Sequence, residues 1–161
     1  MGDVAVRKTE SLWNEMERIQ ERIKRRAYEL FLASGGIPGR ELENWTAAER
    51  EIVWKPALEL KEKDKQFEVT VAMAGVDPRD LTIEVTAEDL LIKGETHHEH
   101  YEEKGEIYAC EFEGGDLFRA IHFPKKISPD KVKAQFKNGL LTLTAPVAEE
   151  ARARKVAIVA A

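Results

Sequence analysis

The feature that most constrains the fold is a β-hairpin in the last third of the chain. Ala134 and Phe136 alternate with polar residues, as expected for a strand that buries one face. Asn138-Gly139 follows, and this dipeptide is typical of a two-residue turn in which both residues have positive φ. Leucines then alternate with threonines over residues 140–144. The pattern therefore predicts two antiparallel strands joined by a tight turn.

A period of two extends over most of the chain after residue 57. Short alternating runs are separated by glycine, proline and charged turn residues, and no helical pattern lies between them. Many short strands without intervening helices favour a mainly β protein with an immunoglobulin-like β-sandwich. We expect strands at residues 57–61, 66–73, 81–86, 90–93, 106–112, 117–123, 131–136 and 140–144.

Several motifs in this region occur in the order known from one protein family. The hairpin carries the pattern Ala134-x-x-x-Asn138-Gly139-x-Leu141, and Trp54 precedes the first strand in a Trp-x-Pro motif. Residues 117–124 end in Phe-Pro after a strand that contains an arginine. Together these motifs resemble the small heat shock proteins, the α-crystallin family of ATP-independent chaperones. The resemblance implies an α-crystallin-type β-sandwich over residues 54–146.

The segments on either side of this sandwich differ from it in pattern. Apolar residues recur at spacings of three and four from Leu12 to Phe31, Ser34-Gly35-Gly36 ends this run, and a shorter helical pattern follows. We therefore expect an N-terminal helical arm of two helices over residues 1–53. Residues 23–45 also resemble a small uncharacterised bacterial helical domain, which brings no function with it. Residues 147–161 are polar and alanine-rich and are expected to form a flexible C-terminal extension.

Composition excludes several classes of partner. The 161 residues suffice for one domain with a smaller appendage, and the formal net charge is −5 with no concentrated basic face, so we expect no nucleic-acid partner. No apolar run approaches the ~20 residues of a membrane span, so we expect no membrane partner. Cys110 is the single cysteine, which rules out an internal disulfide and fits a reducing compartment. We expect a cytoplasmic protein.

No motif indicates catalysis or a cofactor. The sequence contains no phosphate-binding loop and no nucleophile-elbow pattern, so we expect neither an ATP cycle nor an enzyme. His97, His98 and His100 lie near Glu99 and Cys110 and form the one plausible metal cluster. Their spacing matches no common zinc motif, and a solvated loop is the preferred interpretation.

An acidic insertion lies between two of the expected strands. Residues 94–113 hold seven acids against one lysine, which favours a solvated excursion from the sandwich. In the bacterial and plant members of the family, the insertion adds a strand to the partner's sheet and forms a two-fold dimer. A hairpin that folds onto its own sheet is the alternative. The resemblance implies that the following residues lie at the dimer interface: Ile107, Tyr108, Cys110, Phe112 and the strand arginine Arg119.

The C-terminal extension carries a candidate anchor. Val156-x-Ile158 resembles the short apolar motif that family members insert into a groove of a neighbouring subunit. Residues two apart on a strand point the same way, so both side chains could enter one groove. A frayed terminus is the alternative. The resemblance places the groove between the strands at residues 81–86 and 131–136, where Ile83, Val85, Val132 and Ala134 would line it.

These patterns lead to one functional hypothesis and two alternatives. We expect a holdase that binds unfolding client proteins, suppresses their aggregation and assembles from dimers into larger homo-oligomers. The first alternative is a monomeric β-sandwich co-chaperone that docks on a specific partner. The second is an enzyme or metal protein that uses the histidine loop. Client contact is expected from apolar residues of the first helix, namely Leu12, Trp13, Met16, Ile19 and Phe31.

Overall fold

The computed structural model describes residues 2–96, 105–112, 115–151 and 156–159. In chain order, the elements are two strands, two helices and eight further strands. Their bounds are β1 Gly2–Val4, β2 Val6–Lys8, α1 Trp13–Ala33, α2 Glu41–Ile52, β3 Val53–Trp54, β4 Leu58–Lys63, β5 Gln66–Ala72, β6 Leu81–Val85, β7 Asp89–Glu95, β8 Asp116–His122, β9 Lys133–Lys137 and β10 Leu140–Pro146.

The strands form two sheets that enclose one core. The first sheet has the order β1-β9-β10-β5-β4, and the second has the order β2-β6-β7-β8-β3. Alternate residues of each strand face inward, as in a two-layer sandwich. The predicted β-sandwich is confirmed. Its largest fully buried side chains are Phe67, Val69, Val71, Met73, Ile83, Leu90, Ile92, Leu117, Ile127, Leu141 and Leu143.

The hairpin of β9 and β10 has the predicted turn. Asn138 and Gly139 have φ values of 54° and 76°, the left-handed conformation that a two-residue turn of this kind requires. The turn packs against a second loop, because the Met73 N–H donates a 2.7 Å hydrogen bond to the Gly139 carbonyl. A Cβ atom at Gly139 would lie 3.1 Å from the Cα of Ala74. Glycine is therefore needed here for both conformation and space.

The helical arm is an antiparallel hairpin with a small core of its own. Ile23 of α1, Ala48 of α2 and Val53 of β3 are buried together, and Ile19, Ala27, Leu30, Trp45, Ile52 and Phe118 pack around them. Two amphipathic helices joined by a short glycine-containing turn bury their apolar stripes most easily against each other. The two predicted helices are confirmed.

The helical hairpin lies on the outer face of the second sheet. Phe118 of β8 points away from the sandwich core and packs into the helical cluster. Polar contacts add to this: Glu15 of α1 forms a 3.2 Å ion pair with Lys93 of β7, and Arg22 contacts Asp116. A cleft of about 390 Å³ remains between α1 and this face. The helices therefore leave part of this face of the sheet uncovered.

Seven of the eight strands predicted from the pattern are present, with bounds shifted by at most two residues. The largest departure is at the start of the chain. Residues 2–8 were expected to belong to a helical arm, but they form β1 and β2 and join the two sheets. The short strand β3 was also missed; it pairs with β8 in parallel. These strands are too short to show a period of their own, so only their distant partners define them.

Candidate functional site

The expected anchor groove lies between β6 and β9, at the side of the sandwich where the two sheets open. Ile83 and Val85 of β6 and Ala134 of β9 are buried, and Val132 just before β9 is half-buried. Their side chains contribute to the main core, so the floor of the groove is continuous with it. The structure therefore brings the four predicted groove residues together.

This groove already holds residues 2–8, which we call the N-terminal strap. β1 pairs antiparallel to β9, with Val4 opposite Ala134, and β2 pairs parallel to β6, with Val6 opposite Ile83. The strap thus crosses from one sheet to the other at Ala5. Sequence reasoning missed this contact. The one signal was the two valines at alternate positions, which resemble the spacing of the C-terminal anchor.

The C-terminal anchor lies outside the groove of its own chain. Residues 156–159 have no regular structure, and the exposed fractions of Val156 and Ile158 are 84% and 95%. Exposed aliphatic side chains at this spacing are available to another surface, because no contact with the sandwich covers them. The anchor itself stays a prediction.

The insertion does not form a strand in the single chain. Residues 105–112 have no regular structure, so the strand predicted at residues 106–112 is wrong for the isolated chain. A strand needs a neighbour to accept and donate its backbone hydrogen bonds, and residues 105–112 pair with none of the described strands. Tyr108 and Phe112 are 91% and 75% exposed, and Ile107 and Cys110 are exposed as well.

One edge strand of the first sheet is β4, and the other is β1. Among the described strands, β4 pairs only with β5, so one row of its backbone groups has no strand beside it. Its exposed side chains are mainly charged. Lys61 forms a 2.8 Å ion pair with Glu68 on β5, and this hydrogen bond lowers the pKa of the Glu68 carboxyl and raises the pKa of Lys61. Charged side chains on an edge strand discourage indiscriminate pairing while leaving the backbone accessible.

Arg119 lies where the alternation of β8 predicts, on the inward-facing row and opposite Ile92 of β7. It is half-buried, and its buried Nε atom has no hydrogen-bond partner among the residues that the structure describes. The Nε–H of this guanidinium is therefore a buried donor without an acceptor among the described residues. A buried donor without a partner carries a penalty of about 1–3 kcal/mol, so this position calls for a further acceptor.

The structure divides the five candidate client-binding residues into two groups. Leu12 is buried and Ile19 packs into the helical cluster, so neither is accessible in this arrangement. Phe31 is half-buried and stacks on Tyr28, with 6.3 Å between the ring centroids. Trp13 is 69% exposed and Met16 is also exposed. Further exposed apolar side chains of the arm, which the pattern did not single out, are Tyr28, Leu32, Ile37 and Leu42.

Metal binding and membrane insertion receive no support from the described part of the chain. His97, His98 and His100 lie outside the described residues, and within the ranges that are described no three histidine, cysteine or acidic side chains form a metal-binding group. None of the described helices combines the length and the apolar character needed to cross a membrane.

Comparison with known proteins decides the family. The model of the Hsp20/alpha crystallin family matches residues 59–160. The chain belongs to this family. A second family model, described as a protein of unknown function (DUF2934), matches residues 19–53, which correspond to most of α1, α2 and β3. The chain thus joins an Hsp20/alpha crystallin domain to a helical segment whose own family has no assigned role.

Individual relatives agree with this assignment. The chain is 31% identical over 103 residues to spore protein SP21 of Stigmatella aurantiaca, a match that covers 64% of this chain and 61% of that protein. It is 28% identical to small heat shock protein C2 of Rickettsia felis, over 64% of this chain and 67% of that protein. Heat shock protein 16.0 of Schizosaccharomyces pombe has a similar structure, with a TM-score of 0.56 and 30% sequence identity. The match covers 66% of this chain and 99% of that chain.

These relatives match the sandwich rather than the whole chain. The alignment to SP21 spans about three fifths of that protein's length and about two thirds of this chain. The strap and the helical hairpin, which lie between residues 2 and 52, are entirely outside the match to the Hsp20/alpha crystallin family, which begins at residue 59.

Proposed function

We propose that this protein is an ATP-independent holdase, which binds unfolding proteins and keeps them from aggregating. Family membership supports a chaperone rather than an enzyme. The observation that carries the proposal is the distribution of large apolar side chains outside the sandwich core. They are exposed on the helical arm, on the insertion and on the C-terminal extension. Three separate apolar segments on one small β-sandwich fit contacts with other protein chains.

Clients are proposed to bind the exposed face of the helical hairpin. Trp13 and Met16 lie one turn apart on α1, and Tyr28 and Leu32 lie further along the same helix. Non-polar segments of an unfolding protein would bury part of this surface, at about 25 cal/mol for each Å² of apolar area removed from water. Leu12 and Ile19 become available only when the hairpin leaves the sheet, so their contribution would increase with temperature.

Dimers are proposed to form by exchange of the insertion. The segment with Tyr108 and Phe112 would pair with the open edge of β4 in a second copy, where each strand would satisfy the other's backbone groups. The exchange would be two-fold and reciprocal. The same interface would offer an acceptor to the unpaired Nε of Arg119, for which this chain alone supplies none among its described residues.

Larger assemblies are proposed to form through the anchor. Burial of Val156 and Ile158 in a neighbour's groove would contribute ~1.5–3 kcal/mol for each side chain. Ordering each residue of the extension costs roughly 1–2 kcal/mol, so the two terms nearly cancel. One such contact would be weak and reversible, and an oligomer would depend on many of them at once. The proposed partners are therefore unfolding proteins and further copies of this chain, in the cytoplasm.

The holdase proposal is tested by light scattering. A thermolabile protein is heated without nucleotide while this chain is added in increasing amounts, and we expect suppression of scattering at near-stoichiometric ratios. A variant with Trp13→Ser and Met16→Ser should suppress less, because it loses exposed apolar area without changing the core. Asn14→Ser is the matched control on the same helical turn. If the wild-type chain does not suppress scattering while it remains folded, the proposal is wrong.

A second candidate function is a monomeric binding module. The observation in its favour is that the N-terminal strap fills the groove in which an anchor would sit. Multi-angle light scattering after size-exclusion chromatography separates the two. Oligomers that become smaller in Val156→Ser with Ile158→Ser, but not in the control Ala157→Ser, support assembly by the anchor. A monomeric mass at all concentrations supports the module.

A further inference from the structure

The N-terminal strap is bound in the groove as an added strand of each sheet. Gly2, Asp3 and Val4 pair with Phe136, Gln135 and Ala134 of β9. After Ala5, the following three residues pair with Ile83, Glu84 and Val85 of β6. The strap therefore uses the outer backbone edges of both strands that border the groove. A second peptide cannot pair with these edges while the strap is in place.

The strap and the C-terminal extension share one apolar pattern. Val4 and Val6 are two residues apart, as are Val156 and Ile158. Val4 is buried in the main core and Val6 packs against that core, so both valines face the groove. The anchor residues have the same spacing and similar shape, yet they remain exposed. Two segments of one chain are thus suited to one site, and the strap occupies it.

The strap is held by contacts that are easily broken. Each of its strands has three residues. Lys8 Nζ lies 3.1 Å and 3.2 Å from the carboxylate oxygens of Asp130, and Arg7 lies 3.7 Å from Glu84. These cations are mainly exposed to solvent, where an ion pair adds little to stability. A segment of two three-residue strands with one buried valine is expected to detach far more often than the sandwich unfolds.

We propose that the N-terminal strap is an internal competitor for the groove, so that the C-terminal anchor of a second copy binds only when the strap has detached. The inference rests on the proposed anchor, and it adds a regulatory step to it. The apparent affinity of the groove for an anchor equals the affinity of the open groove multiplied by the fraction of chains whose strap has detached. Assembly would then respond to any condition that loosens residues 2–8, even if the sandwich itself is unchanged.

A peptide-binding experiment tests the competition directly. A fluorescent synthetic peptide of residues 150–161 is titrated with the full chain, in which Val156→Ser and Ile158→Ser remove the built-in anchor. Adding Val4→Ser and Val6→Ser should increase the affinity for the peptide by ~10-fold or more, because the groove is then mostly open. Ala5→Ser is the matched control, since Ala5 is exposed between the two strands, and it should leave the affinity unchanged.

A reversible cross-link tests the same step by holding the strap in the groove. Val4 and Ala134 are directly opposite in the antiparallel pair, so Val4→Cys with Ala134→Cys in a Cys110→Ser chain places two thiols within reach of a disulfide. Oxidation joins the two thiols in one disulfide, with loss of two electrons and two protons to an added thiol oxidant such as oxidised glutathione. The oxidised chain should not bind the peptide, and reduction should restore binding.

The outcomes separate this inference from the proposed function. Equal peptide affinity in all variants, or peptide binding by the oxidised chain, would overturn the competition. Absence of peptide binding in every variant would overturn it too, because the groove would then not accept the anchor. Neither result changes the holdase proposal, which stands or falls with the scattering assay on the unmodified chain.

Discussion

Ile23 is the residue on which the attachment of the two helices to each other chiefly depends. It is buried between α1 and α2, and its only fully buried neighbours in the helical cluster are Ala48 and Val53, among the described residues. The substitution Ile23→Ala removes most of the apolar volume at the centre of this cluster. The sandwich core is a separate cluster and does not contain Ile23. We therefore expect the helices to loosen while the sandwich keeps its stability.

The size of the effect follows from the packing around Ile23. Replacing a buried isoleucine by alanine costs about 2–5 kcal/mol. The lower part of that range applies here, because the cleft between α1 and the sheet lets Ile19 and Phe118 relax towards the deleted side chain. Alanine also forms helix slightly better than isoleucine, by about 0.4 kcal/mol. We expect the free energy of opening the helical hairpin to fall by about 2–3 kcal/mol. At about tenfold for each 1.4 kcal/mol, the population of chains with an open hairpin should then increase by about 30- to 150-fold.

Native-state hydrogen exchange followed by mass spectrometry measures this change. Peptides from α1 and α2 should lose protection by the stated factor, and peptides from β5 and β10 should keep theirs. Leu32→Ala is the matched control, because Leu32 is exposed on the same helix and its removal should change protection little. Equal loss of protection in helices and sandwich would refute the reasoning, because the two clusters would then unfold as one unit.

Three further predictions concern the sandwich and its edges. Gly139→Ala should lower the free energy of unfolding by about 1–3 kcal/mol, measured by urea denaturation, because residue 139 has a φ of 76°. The hydrogen bonds from Arg79 lower the pKa of Asp77 from its ordinary value near 3.8 to about 2. Asp77 therefore stabilises the fold above pH 4, and this contribution disappears as the pH falls through 2. The variant Asp77→Asn should be less stable than wild type at pH 6 and equal to it below pH 2, and a stability difference that does not change with pH would contradict this. Phe112→Asp should dissociate the proposed dimer in analytical ultracentrifugation, whereas Glu111→Gln should not.

Much of the fold could be predicted because its signals are local. The turn at Asn138 and Gly139 depends on the conformations of two adjacent residues, and the strands around it depend on an alternation that a few residues reveal. The helices could be predicted for the same reason, since one apolar stripe and a glycine stop define α1. The four groove residues followed from the family resemblance, and in the structure three of them belong to the main core cluster and Val132 packs against it.

The occupant of the groove could not be predicted from local patterns. Val4 and Val6 are two valines in a short polar segment, and their strand partners, Ala134 and Ile83, lie 130 and 77 residues further along the chain. Such a contact forms only if the folded sandwich leaves two strand edges open. A short stretch of sequence carries no information about which edges stay open. The strand predicted in the insertion is absent for the opposite reason. Its pattern is that of a strand, but a strand at residues 106–112 needs a paired neighbour, and none of the described strands of the single chain pairs with it.

The strap and the helical hairpin cover the sandwich in two places. Each of them is expected to have a lower local stability than the sandwich core. The strap has two three-residue strands and the hairpin packs around three buried residues, whereas the sandwich core has eighteen buried residues besides Val4 of the strap, among those described. Because local stability follows buried apolar contact, strap and hairpin should open at temperatures at which the sandwich persists. Opening of the strap would release the groove for an anchor, and opening of the hairpin would expose Ile19 and Ile23 to clients. Heat alone would then increase both the proposed assembly and the proposed client binding, which would give the proposed holdase a physical means to respond to temperature.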